Sequence, residues 1–175
     1  MAAPGTTLTG ERADLAEALG KQRFFLRYAA RDLTDEQAAE RTTVSALSVG
    51  GVIKHVTATE RNWTTFIVEG PSAMSSNWED EDAVREYTDG FRMLPGETLA
   101  GLLAAYLDVA RATDELLAIL PDLDAEQRLP EAPWFDAGAR WTARRVFLHI
   151  LAETAQHSGH ADIIREALDG AKTMG

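Results

Sequence analysis

The chain has 175 residues, no cysteine and a formal net charge of −11 at neutral pH. This length is typical of one domain with a full core, so we expect a single domain over residues 1–175 with its core at about 10–170. The absence of cysteine excludes disulfides, thiolate metal ligands and a cysteine nucleophile, and the acidic charge argues against nucleic-acid or anionic-membrane partners.

Apolar residues recur at steps of three and four along the first half of the chain, a spacing typical of amphipathic helices. The first long helix is predicted at about 10–33, and a short polar helix or turn begins at Thr34. The second long helix is predicted at about 49–69 and ends at Gly70, which precedes a proline.

The second half of the chain begins with a short acidic helix, predicted at about 79–90. A third long helix is predicted at about 97–120, and a fourth at about 142–168 with Gly170 as its C-cap. Little of the sequence is typical of strands, so we expect an all-α four-helix bundle. No apolar run reaches the roughly 18 to 20 residues of a membrane span, and no secretory signal is visible, so we expect a cytoplasmic protein.

The fourth predicted helix carries His149, Glu153, His157 and His160. At about 100° per residue, these four side chains share an arc of roughly 80°. The chain's one other histidine, His55, lies on the apolar stripe of the second helix. Histidine and carboxylate pairs four residues apart are typical of helices that supply two zinc ligands. Two such helices meeting in a bundle would therefore form a metal site.

A simpler interpretation is that these histidines are hydrogen-bonded core residues. Glu153 argues against it, because a carboxylate on a face without lysine is costly to bury unless a cation binds it. Glu153 and His157 form the best ligand pair, whereas His149 and His160 are candidates for ligands, orienting residues or proton shuttles. Glu60 lies about 140° from His55 on the helix and is a poor candidate ligand. Two histidines and one glutamate leave a coordination position open, as in catalytic sites.

The segments GGVIKHVTATERNW and HILAETAQHSGHADIIREALDG, in this order, resemble the DinB-like (YfiT-like) metalloenzyme bundles, in particular their actinobacterial branch. The resemblance covers roughly residues 10–170. It implies a four-helix bundle with a divalent metal, zinc, in an open pocket at one end. The family's usual ligands are one histidine on the second helix, matched by His55, and a histidine pair on the fourth, whose last member matches His157. Glu153 replaces the middle histidine, as in mycothiol-dependent maleylpyruvate isomerase.

Several members of this family transfer low-molecular-weight thiols, such as mycothiol in actinobacteria. The resemblance therefore implies a homodimeric transferase that joins such a thiol to an electrophilic small molecule, with a metal-bound thiolate as the nucleophile. A zinc ion with two imidazoles and one carboxylate keeps a positive charge that lowers the pKa of a thiol. Two alternatives remain open, a metal-dependent hydrolase that uses bound water and a non-catalytic metal-binding or stress-response bundle.

Aromatic and arginine side chains near the start of the fourth helix are further candidates. Arg144 and Arg145, with Trp141, are candidate cofactor-binding residues that would hold a carboxylate of a thiol or substrate. Ion pairs with the many acidic residues are the alternative for both arginines. Aromatic side chains beside the second and fourth helices would line a substrate pocket or anchor the core, namely Trp63, Trp78, Trp134, Phe135 and Trp141.

Overall fold

The computed structural model describes residues 8–74 and 81–173, and their architecture confirms the expected all-α four-helix bundle. The four long helices are α1 (Glu11–Ala29), α3 (Val49–Glu69), α5 (Leu99–Ile119) and α6 (Ala143–Asp169). The shorter elements are α2 (Asp35–Ala39), a 3₁₀ helix (Gly70–Met74), α4 (Glu81–Asp89), β1 (Glu126–Arg128) and β2 (Arg140–Thr142).

Three long helices begin directly after a residue whose side-chain hydroxyl accepts a hydrogen bond from the backbone amide three residues later. These N-caps are Ser48 for α3, Thr98 for α5 and Thr142 for α6. Helix α6 ends at Gly170, whose φ of 79° lies in the left-handed region, as its predicted role as C-cap requires.

Two predictions of secondary structure were wrong in detail. Helix α1 ends at Ala29 rather than near residue 33, because Asp32 turns the chain with a φ of 59°. The β1–β2 pair was not predicted, since each strand has three residues and pairs only locally, Glu126 opposite Thr142. The acidic helix begins at Glu81 among the described residues, and positions 79 and 80 lie outside them.

The core consists of two apolar clusters with a charged pair between them. One cluster includes Leu19 and Trp63, and the other includes Leu26 and Val56. Between them the buried Arg23 of α1 donates to the buried Glu60 of α3, with 2.5 Å between Nη2 and Oε1. Such a pair is costly to desolvate and costlier still to break. Among the described residues, no helix combines the length and apolar character needed to cross a membrane.

Candidate metal centre

Helices α3 and α6 pack against each other and bring His55 next to Glu153 and His157. Each residue offers one ligand atom, and the three atoms lie within 4.8 Å of one another. The rings of His55 and His157 are 4.8 Å apart at 66°, and 3.7 Å separates His157 Nε2 from Glu153 Oε2. All three side chains are half-buried. The structure thus brings together the three residues that the sequence selected as ligands.

The position of these groups on α6 follows from its helical periodicity. Residues 145, 149, 153 and 157 form one ridge at steps of four along the helix. The apolar residues Val146 and Ile150 beside this ridge are buried, whereas His149 and Glu153 are half-buried. The ridge therefore lies at the margin of the core, where a ligand from solvent reaches it.

The position of His55 depends on a close approach between α3 and the segment that follows α4. A Cβ atom at Gly51 would collide with the carbonyl oxygen of Phe91, so the chain passes directly over this first turn of α3. The ring of Phe91 then stacks on the ring of His55, with centroids 4.1 Å apart at 21°. On the same helix, Thr59 Oγ1 lies 3.5 Å from His55 Nε2.

The electrostatic environment favours the neutral, metal-binding form of the imidazoles. Burial, with a smaller contribution from His157, lowers the pKa of His55 to about 4. Burial also lowers the pKa of His157, and His160 acts in the same direction. Both candidate ligand histidines are therefore neutral at neutral pH without a metal, which is the state that a metal ion requires.

The other two histidines of α6 flank this cluster on opposite sides. His160 lies one turn after His157, with 3.4 Å between the two Nδ1 atoms. His149 lies one turn before Glu153, and burial lowers its pKa. The ring of His149 meets Trp63 edge-on at 4.7 Å and Trp141 at 5.1 Å.

The donor set fits a divalent ion. Two neutral imidazoles and a carboxylate are typical zinc ligands, and ligand atoms around one ion with bonds of about 2 Å lie about 3 to 4 Å apart. The spacing of up to 4.8 Å is wider than this, so the side chains would have to approach one another by about 1 Å to hold the ion. Three protein ligands leave a coordination position for an exogenous group.

The candidate cofactor-binding arginines have different environments. Arg144 forms ion pairs with Glu11 of α1 and with Asp124. The exposed guanidinium of Arg145 lies over the ring of Trp141, with Cζ 4.6 Å from the centroid. The indole of Trp141 stacks on Trp63 at 4.9 Å and 16°. Arg144 thus joins elements of the fold, whereas Arg145 belongs to the aromatic group beside His149.

The remaining aromatic candidates divide between the core, the surface and the undescribed part of the chain. Trp63 is buried, Phe135 is half-buried against Trp141, and Trp134 is 62% exposed. Trp78 lies outside the described residues.

One feature of the site, and one of the core behind it, escaped the sequence reasoning. Phe91 was not among the candidates, and the only hint was the Gly50-Gly51 pair, which permits a close approach. Arg23 and Glu60 were missed as a buried pair, although each follows a buried apolar residue, Leu19 or Val56, by one helical turn. A positive charge on the apolar stripe of α1 and a negative charge on that of α3 were the signal that would have predicted this buried pair.

A groove of about 970 Å³ between α3, α4 and α5 adjoins the cluster, and His55 forms part of its wall. Its charged lining is balanced, with Lys54, Arg61 and Arg85 against Asp82, Glu86 and Asp89. Leu94, Leu102 and Ala105 add apolar surface. This volume is typical of a site for a small molecule.

Comparisons with known proteins agree with this architecture. A family model described as mycothiol-S-transferase matches residues 14–170. A conserved protein from Enterococcus faecalis superposes with a TM-score of 0.65 at 11% identity, covering 94% of this chain and 100% of its own. YfiT from Bacillus subtilis, described as a probable metal-dependent hydrolase with an unusual four-helix bundle topology, superposes with a TM-score of 0.60 at 16% identity, covering 93% and 92%. No curated protein matches the sequence.

Proposed function

The chain belongs to the mycothiol-S-transferase family of DinB-like proteins, and we propose that it joins a low-molecular-weight thiol of the mycothiol class to an electrophilic small molecule. In this proposal His55, Glu153 and His157 hold a zinc ion. The observation that carries it is the convergence of two imidazoles and one carboxylate beside a groove of small-molecule size. Since the chain has no cysteine, the sulfur nucleophile must come from the co-substrate.

A zinc ion in this site would lower the pKa of a bound thiol, so that its sulfur is available as a thiolate at neutral pH. The two histidines supply neutral ligands and Glu153 supplies one negative charge, which leaves the site positive. Phe91 covers one face of His55 and limits the access of water to it. His149, which burial keeps neutral, is the proposed acceptor of the thiol proton. In the overall reaction a carbon–sulfur bond forms, and the thiol proton and the leaving group depart as an acid.

The groove beside His55 is the proposed site for the thiol. Its walls carry three cationic and three acidic side chains, so their formal charges cancel. Hydroxyl and amide groups hydrogen-bond to both kinds of side chain, whereas a strongly charged thiol would meet repulsion from one of them. This lining therefore supports a neutral, hydroxyl-rich thiol such as mycothiol.

Metal analysis and a transfer assay test the proposal together. Purified wild type, Glu153→Gln and His157→Ala are compared for bound zinc and for thiol transfer from mycothiol to 1-chloro-2,4-dinitrobenzene. We expect one zinc per wild-type chain and at least a hundredfold loss of kcat/KM in both variants. Glu166→Gln is the matched control, because Glu166 is an exposed carboxylate of α6 paired with Lys172.

Three results would overturn the proposal in different ways. Stoichiometric, tightly bound zinc in all variants would reject the ligand assignment. Turnover of ester or amide substrates by the zinc protein without thiol would identify a hydrolase, the activity suggested for YfiT. Zinc binding with neither activity would identify a binding protein.

A further inference from the structure

Three arginines surround the start of α6, and they differ in their partners. Arg140 pairs with Glu126, with 3.0 Å between Nε and Oε2, and Arg144 is paired with two carboxylates. Within residues 8–74 and 81–173, Arg145 has no carboxylate at ion-pair distance, and its guanidinium contacts the Trp141 ring. Among the described acidic residues none pairs with this guanidinium, so it is open to an anion from outside.

The stacking of Arg145 on an indole preserves its capacity to bind an anion. A guanidinium that lies flat on a ring directs its N–H donors outward in its own plane, where a carboxylate accepts two of them. The aromatic ring also reduces the hydration of the cation, which makes the exchange of water for a carboxylate less costly. Arg145 is thus a pre-positioned donor rather than a mobile surface charge.

Arg145 lies on the same ridge of α6 as the candidate ligands. It precedes His149 by one turn and Glu153 by two, which is about 12 Å along the axis. Its charge contributes to the lowered pKa of His149, after the effect of burial. The aromatic wall beside this ridge consists of the half-buried rings of Trp141 and His149, and the buried Trp63 packs behind both of them.

We propose that Arg145 and this aromatic wall bind the electrophilic substrate, and that they select a planar acid whose carboxylate pairs with Arg145. The proposal rests on the proposed function for the identity of the ligand as the thiol acceptor. The wall offers apolar contact to a ring or conjugated chain, and Arg145 fixes the end that carries the negative charge. The Arg145 side chain and one ring of the substrate together span the distance of about 12 Å from Arg145 to Glu153. The thiol enters from the groove at His55, and the acid lies along α6.

A binding experiment tests the subsite without any turnover. Binding of 4-nitrobenzoate and of its neutral amide, 4-nitrobenzamide, is measured by quenching of tryptophan fluorescence in the zinc-loaded and metal-free protein. We expect wild type to bind the acid about tenfold more tightly than the amide, as for a charge-assisted hydrogen bond in a partly exposed site. Arg145→Gln should abolish this preference and Arg145→Lys should keep part of it. Arg111→Gln, which alters an exposed arginine of α5 paired with Asp108, should leave it intact.

A kinetic experiment then tests the selection of the acceptor. The ratio of kcat/KM for 4-chloro-3-nitrobenzoate to that for 1-chloro-2-nitrobenzene, which lacks only the carboxylate, is measured with mycothiol. This ratio should fall about tenfold in Arg145→Gln and should be unaffected in Arg111→Gln. Equal binding of nitrobenzoate and its amide by wild type, or an unaltered preference in Arg145→Gln, would overturn the subsite. If no acceptor reacts but nitrobenzoate binds through Arg145, the proposed function fails and the acid-binding site stands.

Discussion

The ring of His157 presents its two nitrogens to different partners. Its Nε2 lies 3.7 Å from Glu153 Oε2, on the side of the candidate ion, and its Nδ1 lies 3.4 Å from His160 Nδ1. If Nε2 offers its lone pair to the ion, the proton of the neutral ring is on Nδ1 and is donated to His160. Metal-binding histidines commonly donate this proton to a carboxylate or a carbonyl group. Here a second imidazole occupies that place, so we expect His160 to orient His157.

This contact predicts the effect of replacing His160. His160→Ala should weaken zinc binding about 10- to 100-fold, which is typical for the loss of a group that orients a ligand. His160→Gln should recover part of the affinity, because its amide oxygen accepts a hydrogen bond from the Nδ1–H group of His157. Zinc affinity is measured by competition with a chromophoric chelator. Equal affinities for wild type and His160→Ala would show that His160 does not orient the ligand.

The three candidate ligands were accessible from the sequence for a simple reason. Glu153 and His157 are four residues apart on one helix, so their proximity is a property of α6 alone. His55 lies on a different helix, and the family resemblance indicated that this helix contributes the third ligand. Phe91 has no such signal, because its contact with His55 depends on how the segment after α4 crosses α3.

At the scale of elements, that crossing depends on Gly51. A methyl group there would meet the carbonyl of Phe91, a backbone atom that moves only with its whole segment. Gly51→Ala should therefore lower the free energy of unfolding by about 1 to 3 kcal/mol, as overpacking does, although alanine is the better helix former. Zinc affinity should fall as well, because Phe91 would move away from His55.

Gly20→Ala is the matched control on α1. No atom lies within 4 Å of a Cβ at Gly20, so this variant should gain up to about 1 kcal/mol from helix propensity. Urea unfolding of the metal-free proteins measures both changes. A Gly51→Ala protein as stable as Gly20→Ala would show that the close approach does not constrain this turn.

The four long helices follow from local periodicity and caps, whereas the pairing inside the bundle does not. Arg23 lies between Leu19 and Leu26 on α1, and Glu60 lies between Val56 and Trp63 on α3. A helical wheel measured from His55 places Glu60 away from the metal-binding face, and that direction is the centre of the bundle. The sequence alone does not show that α1 supplies the opposite charge there, because that depends on the packing of distant helices.

For the molecule as a whole, the partly buried histidines of the candidate site lower the stability of the metal-free protein at acidic pH. Burial lowers the pKa of His55 to about 4, whereas a histidine in the unfolded chain titrates near 6.5. Between these values the unfolded chain binds more protons than the folded one, so the free energy of unfolding falls as the pH falls through this window. His149 and His157 act in the same direction, because burial lowers both pKa values.

His55 alone should lower the free energy of unfolding by about 2 kcal/mol between pH 7 and pH 5, since each unit of difference in pKa corresponds to about 1.4 kcal/mol. The measurement is urea unfolding of chelator-treated wild type and His55→Gln at several pH values. The variant should lose less stability on acidification, because glutamine does not titrate. Parallel curves for the two proteins between pH 7 and pH 5 would contradict this assignment. Zinc should stabilise wild type most strongly near neutral pH and lose its effect on acidification, because protons compete with the ion for the same nitrogens.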